Sequence, residues 1–126
     1  MGSGVREISY AEALNEALRE EMRRDERVIV FGEDVGVLGG VYRVTKGLLE
    51  EFGPERVLDT PISEAAIAGT AIGAALMGLR PVAEIMYVDF LTLATDMIIT
   101  HAAKARFMSG GQVKLPMVIR TQYSLG

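Results

Sequence analysis

The fold of this chain is decided by the stretch Leu58-Asp59-Thr60-Pro61-Ile62-Ser63-Glu64 and by the run of small residues after it, from Ala65 to Gly78. Ser63 is predicted to be a helix N-cap, because serine is a preferred capping residue and Pro61 favours an extended entry. Glu64 then lies in the first helical turn, where backbone N–H groups have no partner within the helix. The sequence therefore predicts a carboxylate at the start of a helix that closely follows a strand.

This glutamate has two interpretations. It can simply complement the helix dipole, which is worth about 0.3–1 kcal/mol and is the commoner role of an acid at this position. The helix behind it favours a functional role, because alanine and glycine leave little side-chain bulk on any of its faces. The small residues are Ala65, Ala66, Ala68, Gly69, Ala71, Gly73, Ala74 and Ala75. Such a helix allows another backbone, a subunit or a ligand to approach closely.

The composition bounds the classes of partner. The chain has 126 residues, 49% of them hydrophobic, which is enough for one domain with a substantial core. Its 17 acidic and 13 basic residues give a net charge of −4, and this argues against nucleic acid or an anionic membrane surface as a partner. With no cysteine and a single histidine, His101, no metal site is predicted. The apolar stretches are shorter than the roughly 20 residues of a membrane span.

The order of elements predicts the fold class. Segments with helical and strand periodicity alternate with short connections, which is typical of an α/β fold with a parallel sheet and helical crossovers. Ser9 and Glu12 form a capping box that begins a helix extending to about Arg24. The other predicted helices are about 44–52, 64–76 and 90–107, and the predicted strands are 28–31, 56–59, 81–85 and 116–120.

The two ends of the sequence carry separate expectations. Residues 1–7 are interpreted as a cloning remnant and an N-terminal arm, and residues 8–126 as one partial α/β domain. No apolar, positively charged leader precedes the first helix, which favours the cytoplasm of a bacterium or archaeon. The sequence stops just after the fourth predicted strand. We therefore expect either that partner chains complete the sheet or that this is a piece of a longer protein.

Candidate binding residues follow the carboxyl ends of three predicted strands, where open parallel sheets bind ligands. They are Glu33, Glu64 and the apolar residues Met86 and Phe90. Together they suit a flat heteroaromatic ring packed on Met86 and Phe90, with a carboxylate at a ring nitrogen. Taken one at a time, Glu33 is more often part of a solvated turn, and Met86 and Phe90 are more often core residues. The glycines match neither a dinucleotide fingerprint nor a phosphate loop.

Several ordered motifs resemble a known family. They are Phe31–Gly36, Gly39–Tyr42, Asp59–Glu64, Gly78–Glu84, Ala102–Lys104 and Ser109–Gln112. From about Ile8 to Thr121 the chain resembles the β subunit of the thiamine-diphosphate-dependent 2-oxo acid dehydrogenases, the decarboxylating component of the pyruvate, branched-chain and acetoin complexes. The resemblance implies the thiamine-diphosphate-binding fold, of which this chain is the N-terminal, pyrimidine-binding part, truncated after about four strands.

The resemblance also implies a role for each candidate residue. Glu64 falls on the glutamate that hydrogen-bonds a ring nitrogen of the aminopyrimidine and so promotes activation of the thiazolium carbon. Met86 and Phe90 fall on residues that contact the pyrimidine, and Ile62 on one that shapes its pocket. Glu33 falls on the acidic path between paired active sites.

Further implications concern the reaction and the partners. In this family an α subunit holds the cofactor's diphosphate and its magnesium, and the assembly is an α2β2 heterotetramer. The implied reaction is oxidative decarboxylation of a 2-oxo acid, with acyl transfer to lipoamide on a lipoyl acyltransferase core. The present chain contributes only the aminopyrimidine side, so we expect it to be inactive by itself.

The chain departs from the family pattern at several positions, either by nature or by engineering. The family usually has glutamine, asparagine, a small or polar residue, proline and glycine at or near Met97, Thr100, His101, Gln122, Ser124 and Leu125. Two other interpretations stay open. The chain could be a non-catalytic, self-associating α/β module that uses the alanine-glycine helix and an uncovered sheet edge as interfaces. A flavodoxin-like nucleotide-binding domain fits the topology but lacks a phosphate loop.

Overall fold

The computed structural model describes residues 4–123. Its strands and main helices are α1 (Tyr10–Arg24), β1 (Val28–Gly32), α2 (Leu48–Phe52), β2 (Val57–Asp59), α3 (Glu64–Leu76), β3 (Arg80–Glu84), α4 (Ala103–Met108) and β4 (Val118–Arg120). A 3-10 turn at Val41–Arg43 precedes α2, and irregular helical segments at Val88–Ala94 and Asp96–Ala102 precede α4. Within the described range, no helix is both long and apolar enough to cross a membrane.

All strand pairs are parallel, as the alternating pattern predicts. The strands form one sheet in the order β2-β1-β3-β4. Gly32 at the end of β1 is in register with Asp59 of β2 and with Glu84 of β3, and Glu84 is in register with Arg120 of β4. The four strands therefore end level with one another, and the residues that follow them meet at a single edge of the sheet.

Helices cover both faces of this sheet, so the domain has three layers and two cores. On the face covered by α1 and α2, the buried cluster consists of Met22, Val28, Val30, Leu48 and Val57. On the face covered by α3, it consists of Phe31, Ile67, Ala71, Ala83 and Ile85. Side chains alternate between the two faces along each strand. Val30 thus belongs to the first core and Phe31 to the second.

Arg56 fixes the end of α1 to the sheet. Its Nη2 donates hydrogen bonds to the backbone carbonyls of Met22 at 2.8 Å, Asp25 at 3.1 Å and Val28 at 2.8 Å. Its guanidinium also lies over the ring of Phe52, 5.1 Å from the ring centroid. The carbonyls of Met22 and Asp25 lie at the C-terminal end of α1, and that of Val28 lies at the start of β1, so Arg56 joins the helix end to the first strand.

Most element predictions are confirmed, including the helix at 64–76 with Ser63 at its N-cap and the capping box of Ser9 and Glu12. Ser63 occupies the N-cap position as predicted, although its side chain makes no capping hydrogen bond. The second helix begins later than predicted, at Leu48, since Gly47 adopts a left-handed conformation with φ of 79°.

The prediction of one continuous helix over 90–107 is wrong. The chain instead passes through a 3-10 segment at Val88–Ala94, a π-helical segment at Asp96–Ala102 and the short helix α4. The hydroxyls of Thr92 and Thr95 donate to the carbonyls of Asp89 and Leu91 at 3.0 and 3.4 Å. Such side-chain bonds compete with the regular helical ladder, and hydrophobic periodicity gives no sign of them.

Candidate functional site

Besides Glu84 at the end of β3, two buried carboxylates lie at the carboxyl edge of the sheet. Glu33 follows β1 directly and Glu64 begins α3, and each has only 6% of its surface exposed. Glutamate is rarely buried to this extent unless it is paired or has a function. The burial therefore favours the functional interpretation of both residues over a solvated turn or a surface dipole contact.

The two carboxylates influence each other. Burial raises the pKa of Glu33 above its ordinary value, and the negative charges of Glu64 and Asp34 raise this pKa further, while a hydrogen bond from the Ser63 backbone lowers it. The Oε1 atom of Glu33 is buried and has no hydrogen-bond partner. Glu33 therefore keeps a proton to higher pH than a solvated glutamate, and one of its oxygens is left for a polar group from outside the chain.

The cavity that Met86 lines does not include the other predicted apolar residues or the two acids. Met86 lines an open cavity of about 270 Å³ together with Asp34, Leu38, Gly40, Val41 and Arg43, and neither Glu64 nor Phe90 lines it. Ile62 is 82% exposed and Phe90 is 42% exposed. The ring of Phe90 meets that of Tyr87 edge to face, with centroids 6.1 Å apart. The structure thus does not bring Met86, Phe90 and Glu64 together in this cavity.

A buried polar network holds the loop that carries Met86, and the sequence reasoning missed it. Glu84 is fully buried and pairs with Arg120, whose side chain is 14% exposed. Gln122 donates from Nε2 to the carbonyl of Met86, and the Val88 N–H donates to the Gln122 carbonyl at 2.8 Å. Burial raises the pKa of Glu84, and Arg120 and Gln122 oppose that rise. The network ties residues 86–88 to the end of β4.

The structure describes four of the six departures from the family pattern, namely Met97, Thr100, His101 and Gln122. The sulfur of Met97 lies over Gly69 of α3, 3.5 Å from where a β-carbon on that glycine would be. His101 is exposed and its Nε2 lies 3.5 Å from Asp96 Oδ2. Ser124 and Leu125 lie outside the described residues. Within residues 4–123 there is no cluster of three or more potential ligands that could hold a metal ion.

Comparison with known proteins identifies the family. A family profile described as "Transketolase, pyrimidine binding domain" matches residues 6–126, and the chain belongs to this family. Its parallel sheet with helices on both faces is the architecture expected from the resemblance.

Curated relatives narrow the resemblance to one kind of subunit. The chain is 52% identical over 119 residues to the 2-oxoisovalerate dehydrogenase subunit beta of Bacillus subtilis, covering 94% of the chain and 36% of the relative. It is 54% identical over 114 residues to the pyruvate dehydrogenase E1 component subunit beta of Rickettsia conorii, covering 90% and 35%. A mitochondrial pyruvate dehydrogenase E1 component subunit beta-1 of Arabidopsis thaliana is 51% identical over 118 residues, covering 94% and 32%. The chain thus spans about a third of the length of these relatives and corresponds to their N-terminal, pyrimidine-binding part.

The first prediction concerns the ion pair of Glu84 and Arg120. Replacing Arg120 by methionine leaves a buried carboxylate without its partner and should lower the free energy of unfolding by about 3–5 kcal/mol at pH 7. Chemical denaturation followed by circular dichroism measures the loss. The matched double variant, Arg120→Met with Glu84→Gln, should recover a large part of it. A loss below about 1 kcal/mol in the single variant would contradict a tight buried pair.

The second prediction concerns the pH dependence caused by Glu33. Its pKa is higher in the folded than in the unfolded state, so its ionisation opposes folding as pH rises from the unfolded pKa through the folded one. Below the unfolded pKa this cost is absent. Relative to the parent chain, Glu33→Gln should therefore gain stability between about pH 4 and pH 8, measured by denaturation at both values.

The control for this measurement is Glu55→Gln, at an exposed glutamate in the turn before β2. This change should alter stability equally at the two pH values. A difference between Glu33→Gln and the parent chain that is the same at pH 4 and pH 8 would show that Glu33 is hydrated in the folded state.

Proposed function

We propose that this chain forms the aminopyrimidine side of a thiamine diphosphate site in the β subunit of a 2-oxo acid dehydrogenase. The observation that carries the proposal is the buried carboxylate of Glu64 at the start of α3, next to a second buried acid, Glu33, that has an unpartnered oxygen. The family match and the names of the relatives support this assignment.

The residues present fit the aminopyrimidine ring. The ring carries nitrogen acceptors and an amino group, and a carboxyl group held in a dry environment forms a strong hydrogen bond to such an acceptor. With the cofactor bound, the Glu64 carboxyl group would form a hydrogen bond with the ring nitrogen, and Glu33 would be the second acidic group of the site. Ile62, Met86 and Phe90 would provide apolar surface for the ring, and a covering subunit would be needed to exclude water from it. The cofactor itself, when bound, supplies the carbanion-stabilising chemistry that a 2-oxo acid needs to lose carbon dioxide.

The diphosphate and its magnesium belong to a different chain in this proposal. The sheet edge presents Glu33, Asp34 and Glu64, whose negative charges would repel a diphosphate. The exposure of Ile62 and Phe90 leaves the apolar surface open to water. An α subunit that carries the magnesium would cover this surface and complete the site, in an α2β2 assembly that passes its acyl group to lipoamide on a lipoyl acyltransferase core.

For the substrate we propose only a chemical class, and for the compartment we make no proposal beyond the prediction from the sequence. The relatives are named for pyruvate and for 2-oxoisovalerate, so the substrate class is a 2-oxo acid without a choice between these two. They come from bacteria and, in one case, from a plant mitochondrion. The cytoplasm of a bacterium or archaeon therefore stays a prediction from the sequence.

The third prediction tests Glu64 directly. In a full-length β subunit containing this sequence, assembled with its α subunit, Glu64→Gln should lower 2-oxo acid decarboxylation by at least about 100-fold, the range for loss of a general acid or base. The state of assembly, measured by sedimentation, should be unchanged. Glu55→Gln serves as the control and should keep full activity. Unchanged turnover of Glu64→Gln in an intact assembly would remove this residue from the mechanism.

A second candidate function is a self-associating module without catalysis. It is favoured by exposed apolar residues on and beside α3, where Ile62 is 82% exposed, Leu76 50% and Met77 85%. Burial of such surface contributes about 25 cal/mol per Å², so contact between two copies would be favourable.

The fourth prediction concerns this alternative. Analytical ultracentrifugation of the 126-residue chain at tens of micromolar should show a dimer or larger species if α3 is an interface. Replacing Met77 by lysine should shift the population toward monomer, because a charge on this surface cannot be buried cheaply. A monomer at every concentration would exclude the self-associating module, while leaving the thiamine diphosphate proposal intact.

A further inference from the structure

We infer that Asp59 is a positioning residue that fixes the Glu33 loop, residues 33–40, to the strand end that leads to Glu64. This inference rests on the proposed function, because it matters for a site in which the two acids act together. Besides Glu64, Asp59 is the second acid of the Asp59–Glu64 motif.

The first observation is a pair of hydrogen bonds between the ends of β1 and β2. The Gly36 backbone N–H donates to Asp59 Oδ1 at 2.7 Å. The Thr60 N–H donates to the Gly32 carbonyl at 2.9 Å. One bond is made by the backbone before Glu33 and the other by the backbone after it. Glu33 is thus enclosed between two contacts that both come from residues 59 and 60.

The second observation is the fit of Gly36 against the carboxylate. A β-carbon on Gly36 would lie 2.6 Å from Asp59 Oδ2 and 3.0 Å from its Cγ, closer than real atoms approach. Gly36 is not among the residues with positive φ, so its backbone conformation does not call for glycine. The close approach of Asp59 therefore gives a physical reason for glycine at this position.

The remainder of the Glu33 loop is held from its own side. The Thr45 hydroxyl donates to the Val35 carbonyl at 2.7 Å, and the Gly40 N–H donates to the Asp34 carbonyl at 2.8 Å. Asp34 has a φ of 55°, a left-handed conformation that costs free energy in a non-glycine residue. These contacts shape the loop, whereas the bond to Asp59 sets its position relative to the helix that carries Glu64.

A restraint is needed here because the charges oppose the arrangement. Glu33 faces the like charges of Glu64 and Asp34, and Glu84 lies near it on the other face of the sheet. Repulsion and hydration both favour a loop that moves Glu33 outward into water. The hydrogen bond to Asp59, made by an ionised acceptor, is of the stronger type and opposes this movement.

The test is a double-mutant cycle on the 126-residue chain with Gly36→Ala and Asp59→Ala. Each single change should lower the equilibrium constant for folding by about 3- to 10-fold, less than for a bond to a buried charge, since Asp59 is exposed. In the Asp59→Ala background, Gly36→Ala should cost less than 2-fold, because the clash is gone. Gly73→Ala is the control, since its β-carbon would meet no atom within 4 Å. It should have the same effect in both backgrounds.

A second measurement separates positioning from mere stability. In folded Asp59→Ala, the midpoint of the pH titration of the Glu33 carboxyl, followed by carbon-13 NMR, should move toward that of an ordinary glutamate. The reason is that the released loop exposes Glu33 to water. Asp59→Asn retains the Oδ1 acceptor and should restore the parent midpoint. Additive single effects in the cycle, or an unchanged Glu33 midpoint in Asp59→Ala, would overturn the inference.

The results of the mutant cycle and of the titration do not depend on catalysis. Both measurements use the chain without cofactor, whereas the proposed function is tested by Glu64→Gln in the assembled enzyme. If the effects of Gly36→Ala and Asp59→Ala are additive and the Glu64→Gln enzyme is inactive, only the role of Asp59 is rejected. Strong coupling with an active Glu64→Gln enzyme would reject only the proposed function.

Discussion

The level ending of four parallel strands is the constraint on which the rest of the structure depends. Gly32 is in register with both Asp59 and Glu84, and Glu84 is in register with Arg120. Because every strand runs in the same direction, the chain leaves the sheet four times at the same edge. Glu33 and the turn that leads to Glu64 are brought together by that pairing, although they are separated by about thirty residues of sequence.

The buried acids have different surroundings: Glu84 has a basic partner and Glu33 does not. Glu84 is paired with Arg120 on the neighbouring strand, and Gln122, two residues further on, donates a hydrogen bond to the Met86 carbonyl. Glu33 faces other acids and keeps an oxygen without a partner. An unpaired buried carboxylate opposes folding, and proteins retain such groups where a ligand or a reaction needs them. This contrast supports the proposal that Glu33 and Glu64, rather than Glu84, take part in binding a ligand.

Regular elements were predictable where one local pattern specified them. The helix at 64–76 and the capping box at Ser9 follow from neighbouring residues, and the structure has both. The division of the region after Phe90 into 3-10, π and α segments was not predictable, because hydrophobic periodicity does not distinguish these helix types. Glu84 and Arg120 are charged residues within predicted strands, which is a sign that each has a partner. The sequence does not say that they are partners of each other, because their register is a property of the assembled sheet.

The sequence by itself determined the fold class, the order of the elements and the acid at the start of α3, because these depend on periodicity and on residues adjacent in the chain. It also indicated the family through motifs at characteristic spacing. The tertiary structure alone decided that Glu33 and Glu64 are buried beside each other, that Asp59 accepts a hydrogen bond from Gly36, and that Ile62 and Phe90 stay exposed. Burial and proximity arise only when distant segments pack, so no local pattern encodes them.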